Sequence, residues 1–134
     1  SERFVIIGFK NEKHDKLIQN GYYNFRMGSD RGSIPISPKT ADADYILLHQ
    51  HGDLVTNEIY KITRNEPRIF SKSDIEKKGY INPSHEFYLV YDIEKMPSNE
   101  FNAKEWDVRK LHGFKAARGS ALPFAVSLAE LMDV

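Results

Sequence analysis

The sequence predicts an α+β fold: a small, mixed, partly closed β-barrel with short flanking helices. Three observations carry this. Five or six apolar runs of strand length recur along the chain, separated by helical segments of only one or two turns. The crossover helices of βαβ units need a longer periodic segment, which argues against a doubly wound parallel sheet. Finally, 134 residues make one domain, residues 1–134, that buries about two-thirds of its unfolded surface without staples. With 40% hydrophobic and 28% charged residues, the composition is that of a folded protein rather than a disordered one.

The elements follow in order. Arg3 to Phe9 is a continuous apolar strand, central or buried on both faces. Asn11 caps a helix over Glu12 to Gln19, whose apolar edge is Leu17 and Ile18, and Gly21 ends it. Tyr45 to Gln50 and Leu54 to Thr63 read as a hairpin turning at Gly52-Asp53. Ile59 and Ile62 break strict alternation, which predicts a bulge or twist near Tyr60. Ser73-Asp74-Ile75-Glu76 fits a capping box for a short helix that Gly79 closes. Phe87 to Glu94 is the clearest strand, Pro97 to Trp106 is a loop, and Ser127-Leu128-Ala129-Glu130 opens the final helix as a second capping box.

Cysteine is absent, which removes disulfides, thiolate nucleophiles and Cys-ligated zinc and fits a reducing cytoplasm. The run Phe4-Val5-Ile6-Ile7 is far too short for a signal segment, and no apolar run approaches a membrane span, so the chain reads as soluble. Its ends lie close to predicted elements, which is compatible with a module excised from a larger protein. Net charge is zero, which counts against non-specific coating of nucleic acid. The charge is uneven all the same. From Thr40 to Tyr60 the ionised groups are Asp42, Asp44, Asp53 and Glu58, whereas Lys104 to Arg118 holds Lys104, Arg109, Lys110, Lys115 and Arg118 against Glu105 and Asp107, with His112 in addition. Such asymmetry can orient a polyanion.

Base recognition needs a flat apolar face and a few directed donors and acceptors. Tyr22-Tyr23-Asn24-Phe25-Arg26 supplies both, followed by the flexible Gly28-Ser29-Asp30-Arg31-Gly32-Ser33. The base-binding pocket is therefore assigned to Tyr22, Asn24, Phe25, Arg26 and Ser33. On a strand, Tyr22, Asn24 and Arg26 share one face, taken as the ligand's, and Tyr23 and Phe25 share the other, taken as packing; the pleat alone allows the reverse. Aromatics in the core and a simple glycine-rich turn would explain the same residues. Arg31, Lys115 and Arg118 are assigned to phosphates, the last two because they flank a small-residue loop.

The closing third resembles the PUA-like superfamily, especially its EVE branch. There an aromatic strand, here Phe87 to Ile93, leads to an arginine, a small-residue loop, a Pro-Val-like step and a last short helix, here Lys115 to Leu131. Tyr22 to Gly28 resembles the family's early aromatic-Arg segment, and Asp44 to His49 with Leu54 to Thr63 its hairpin. Two positions depart from the pattern: Phe25 stands where many members carry tryptophan, and Ala43-Asp44 replaces Gly-Asp. The resemblance implies a nucleic-acid-binding module, DNA favoured over RNA, that holds a modified or flipped base. It further implies a specificity domain for an effector domain or subunit, as in modification-dependent restriction systems, with no cofactor and no catalysis of its own.

The competing class is a small metal-dependent hydrolase or phosphoesterase. His49-Gln50-His51-Gly52-Asp53 is an H-x-H-x-D string of the kind that supplies metal ligands, although no second histidine follows the aspartate. Asp74 with Glu76-Lys77-Lys78 contains an acid-x-Lys element on a capped helix, the wrong scaffold for side-by-side projection around a metal. Gly28 to Ser33 could nest a phosphate but lacks the Gly-Lys-Ser/Thr of a P-loop.

Overall fold

A computed structural model describes residues 2–64, 66–97, 101 and 104–134. The chain is α+β, and its main sheet curls into a half-barrel. Its strands are β1 (Phe4–Lys10), β2 (Tyr22–Arg26), β3 (Tyr45–Gln50), β5 (Glu58–Ile62), β6 (Arg68–Ser71), β7 (Phe87–Lys95) and β11 (Phe124–Ser127). The order across the sheet is β11-β1-β3-β5-β7-β2, with β6 also on β7. Every pairing is antiparallel except β1 with β3, where Val5 stands opposite Tyr45. Two small pairs lie outside it, β4 (Val55–Thr56) with β8 (Trp106–Asp107) and β9 (Ala116–Ala117) with β10 (Ser120–Ala121).

Strict alternation sorts the side chains onto two faces. Ile6, Ile46, Leu48, Tyr60, Leu89, Tyr91, Tyr23 and Phe25 fill the inside of the curl. On the outside, Val5, Ile7, Tyr45, Leu47 and Ile59 pack under Trp106, Val108, Leu111 and Leu131 of the closing segment. The outer surface of β2 and β7 is covered separately, where Leu17 and Ile75 from two short helices meet Tyr88 and Val90. β1 is apolar without alternation because both of its faces are buried.

The helices are α1 (Asp15–Gln19), α2 (Pro38–Ala41), α3 (Lys72–Lys77) and α4 (Leu128–Asp133), none long and apolar enough to cross a membrane. Asn11 caps a 3-10 turn, Glu12–His14, that runs into α1, and Gly21 follows with φ +91°. The cap of α3 is Ser71, two residues before the expected Ser73: Ser71 is extended at the end of β6, and its hydroxyl accepts from Asp74 N at 3.2 Å. Ser127 caps α4 as expected, accepting from Glu130 N at 3.1 Å, but the Glu130 carboxylate turns to His112 N instead of closing the box.

The expected second hairpin strand is divided. Tyr45 to Leu48 pair regularly with Lys61 to Glu58, so no bulge occurs near Tyr60. The interruption lies at Asn57, where Val55 and Thr56 leave for Trp106 and Asp107. The loop placed at Pro97 to Trp106 falls partly on residues 98–100, 102 and 103, outside the described residues.

Trp106 is the keystone of the outer core, 1% exposed, with its indole Nε1 donating to Leu131 O at 2.9 Å. Trp106→Ala should cost about 3–5 kcal/mol, the range for deleting a large buried aromatic, in urea unfolding. A loss below about 1 kcal/mol would mean that the closing segment does not depend on this contact.

Candidate functional site

β2 ends the sheet, so one of its edges carries no strand among the described residues. A cleft of about 250 Å³ runs beside that edge. Drug-sized ligands usually occupy roughly 300–1,000 Å³, so this space suits a single planar ring system. Because the cleft lies at an edge, side chains from both faces of β2 line it: Tyr23 and Phe25 from inside the curl, Asn24 and Arg26 from outside.

One wall is aromatic. His14, 3% exposed, stacks on Tyr23 with ring centroids 5.2 Å apart and 20° between planes. It also meets Tyr80 at 5.1 Å and, edge-on, Phe9 at 5.7 Å. Phe9 and Tyr80 are only half-buried and offer the accessible ring surface. The backbone N–H of Asn11 donates to His14 Nδ1 at 3.2 Å. Asn11 Oδ1 stands at the same 3.2 Å from His14 Nδ1, so this ring nitrogen faces both the backbone and the side chain of Asn11. Burial pushes its pKa down to about 4, and Lys13 and Lys10 push in the same direction. The Tyr23 hydroxyl donates to Phe9 O, joining β2 to β1, and burial raises its pKa far above the usual range.

The polar groups are few and placed. Asn24 is 4% exposed and lines the cleft, yet its Oδ1 has no hydrogen-bond partner among the described residues. An unmade bond to a buried amide costs about 1–3 kcal/mol, so this group is retained at a penalty. Arg26 reaches across the glycine-rich turn. Its Nη1 stands 3.7 Å from Asp30, which His85 also approaches at 3.5 Å. A β-carbon at Gly32 would overlap Arg26 Nη2, so this glycine makes room for the guanidinium. Ser33, bonded to Asp30, helps hold that carboxyl below its usual pKa, with Arg26 and His85 adding to the effect.

The residues picked out in the sequence distribute as follows. Asn24, Phe25 and Arg26 come together in the cleft. Tyr22 does not: it lies on the outer surface against Phe70, with the cations Arg68 and Lys78 over its ring. The assignment of Tyr22 to the pocket is corrected for that reason. Ser33 supports Asp30 and does not line the cleft. Arg31 is exposed and reaches Ala116 O at 3.5 Å; Lys115 and Arg118 are exposed around the β9–β10 hairpin. The set His49, His51 and Asp53 is not assembled. His49 is buried, its Nδ1 bonded to Gln50 O at 2.9 Å and its Nε2 facing Ala121 N at 3.4 Å, while His51 turns to Ser120. Among the described residues no group of three His, Asp or Glu could hold a metal ion.

Phe9, His14 and Tyr80 were not singled out in the sequence. Asn11-x-x-His14 has capping-box spacing, but the box is sought with Glu or Gln at its fourth position, so the histidine escapes. Tyr80 follows the helix-closing Gly79 and reads as mere punctuation. Searches against protein-family models, curated proteins and solved structures found no match to the chain.

The low pKa of His14 makes stability depend on acid. Unfolded, the ring takes a proton near pH 6.5; folded, it does so only near 4. Between those values the unfolded state binds more protons, so this group leaves stability untouched above about pH 6.5 and lowers it as pH falls, by about 3 kcal/mol at pH 4. His14→Phe should flatten that part of the stability–pH curve, measured by urea unfolding from pH 7 to 4. An identical slope in parent and variant would place the proton uptake elsewhere.

Proposed function

We propose that the chain is a PUA-like, EVE-related domain that binds nucleic acid, DNA rather than RNA, and holds one modified or flipped base in the cleft beside β2. It acts as the specificity module of a larger cytoplasmic system, such as modification-dependent restriction, and leaves catalysis to another domain or subunit. The observation that carries this reading is Asn24: a buried amide whose Oδ1 is bonded by no described residue, set among Tyr23, Phe25, His14 and Tyr80. An amide oxygen can accept a hydrogen bond from a donor on a base edge.

The remaining features support the same reading. Phe9 and Tyr80 supply stacking surface, at roughly 1–3 kcal/mol per base on such platforms. Neutral His14 adds ring surface to the wall without introducing a buried charge. Lys13 and Arg26 are the charged groups among the described lining residues, with Asp30 3.7 Å from Arg26 outside the lining, and the two cations suit a polyanion. Arg31, Lys115 and Arg118 are proposed to meet phosphates farther out. Net charge is zero, so affinity on this account comes from the cleft rather than from a general positive field.

Asn24→Leu removes the amide while keeping the volume filled. Binding should weaken by about 1–3 kcal/mol with loss of base discrimination. Stability should hold or rise, because an unpaired buried acceptor disappears. Fluorescence anisotropy with labelled single-stranded and duplex oligonucleotides, with and without a methylated base, reads the first effect, and urea unfolding reads the second. A parent protein that binds none of these oligonucleotides, or a variant that discriminates bases as the parent does, would defeat the proposal.

A further inference from the structure

A second cavity of about 320 Å³ adjoins the aromatic cleft and shares Phe9, Asn11, Arg26, Gly32 and Pro123 with it. The two therefore lie side by side, with the Arg26 side chain lining both. The far arm adds His51, Ser120 and the small residues Ala117 and Ala121. Its polar character differs from that of the aromatic arm: it has a guanidinium, an imidazole and a hydroxyl, and no carboxylate among the described residues that line it.

We propose that this arm is a phosphate subsite, in which Arg26 and His51, its ring held by Ser120, take the phosphate attached to the nucleotide whose base lies against Asn24. The proposal rests on the base-binding reading and makes it more specific: the unit recognised is a base together with its own phosphate ester. His51 Nδ1 is held by Ser120 Oγ at 2.7 Å, and His51 Nε2 has no partner among the described residues. The bond thus fixes the ring while leaving one nitrogen for a ligand. No carboxylate bonds His51 among the described residues, so the pair positions a ligand and lacks the third group that orients a base for nucleophilic catalysis.

The backbone fixes these groups independently of any ligand. Ala117 pairs with Ser120 across the two residues Arg118 and Gly119, both at positive φ, +46° and +84°. That is a type I′ hairpin, which presets the direction of the strand carrying Ser120. Arg118 holds a conformation that residues with a β-carbon rarely adopt. Gly52 N donates to Gly119 O at 2.9 Å, tying this hairpin to the turn that carries His51. Arg26 is 58% buried at its side chain and lies where Gly32 leaves room. Charge-assisted bonds from such pre-placed donors are the strong ones for phosphate.

The test is isothermal titration of the protein with deoxyadenosine, deoxycytidine and their N6-methyl and 5-methyl forms, each beside its 5′- and 3′-monophosphate and a trinucleotide centred on the same base. One monophosphate should bind about tenfold tighter than its nucleoside. His51→Ala and Ser120→Ala should each bring that ratio towards one while leaving nucleoside affinity unchanged. Trinucleotides that bind tighter still would identify a strand as the source, and equal affinity a free mononucleotide. Nucleoside and both monophosphates binding alike to the parent would overturn the subsite and leave the base cleft standing. No binding of any of these probes would overturn both.

Discussion

The bond from the Tyr23 hydroxyl to Phe9 O is the contact on which the cleft depends. β11 pairs with β1 only as far as Ile7, so the last residues of β1 lack a strand on that side. Tyr23, on the far end of the sheet, reaches them instead. The half-barrel is thereby bridged from β2 to β1 by a side chain where no ladder runs among the described residues. Gly8 makes the approach feasible: a β-carbon there would stand 3.0 Å from the Tyr23 hydroxyl, 3.1 Å from Phe25 and 3.3 Å from Leu48, tighter than packed side chains normally accept. The same tyrosine is the ring on which His14 stacks. Closure of the fold and the wall of the cleft are thus one arrangement, and the burial that neutralises His14 follows from it.

Most of the fold was legible because its signals are local. The unbroken apolar run at Arg3 to Phe9 required two covered faces, and β1 has them; Phe87 to Glu94 forms a strand as its apolar and aromatic run predicts, and Asn11 and Ser127 accept backbone N–H groups as caps. The failures share a physical cause. Leu54 to Thr63 looked like one strand because its composition is uniform, and only the pull of Trp106, fifty residues later, divides it. Ser71 outcompeted Ser73 as a cap because β6 ends there, and β6 itself becomes a strand by pairing with β7.

The site was legible in half. Asn24, Phe25 and Arg26 stood out as residue types suited to a base, and they meet in the cleft. Tyr22 has the same chemistry and lies elsewhere, because its side of β2 at that position is already covered by Phe70, Arg68 and Lys78. His14 and Tyr80 are 66 residues apart in sequence and come together only through tertiary packing. The histidines His49 and His51 illustrate the converse: spacing suggests a shared ion, whereas His49 is buried against Gln50 O and the exposed His51 turns to the Ser120 hydroxyl.

The proposed ligand enters at the free edge of β2. Backbone amide shifts of isotopically labelled protein, followed while a short single-stranded DNA of mixed sequence is titrated in, test this most directly. The expected result is a contiguous set of shifts at Phe9 to His14, Asn24 to Arg26, Gly32 and Tyr80, saturating together. Shifts confined to another surface, such as the exposed Ile69 and Phe87 on β6 and β7, would contradict it.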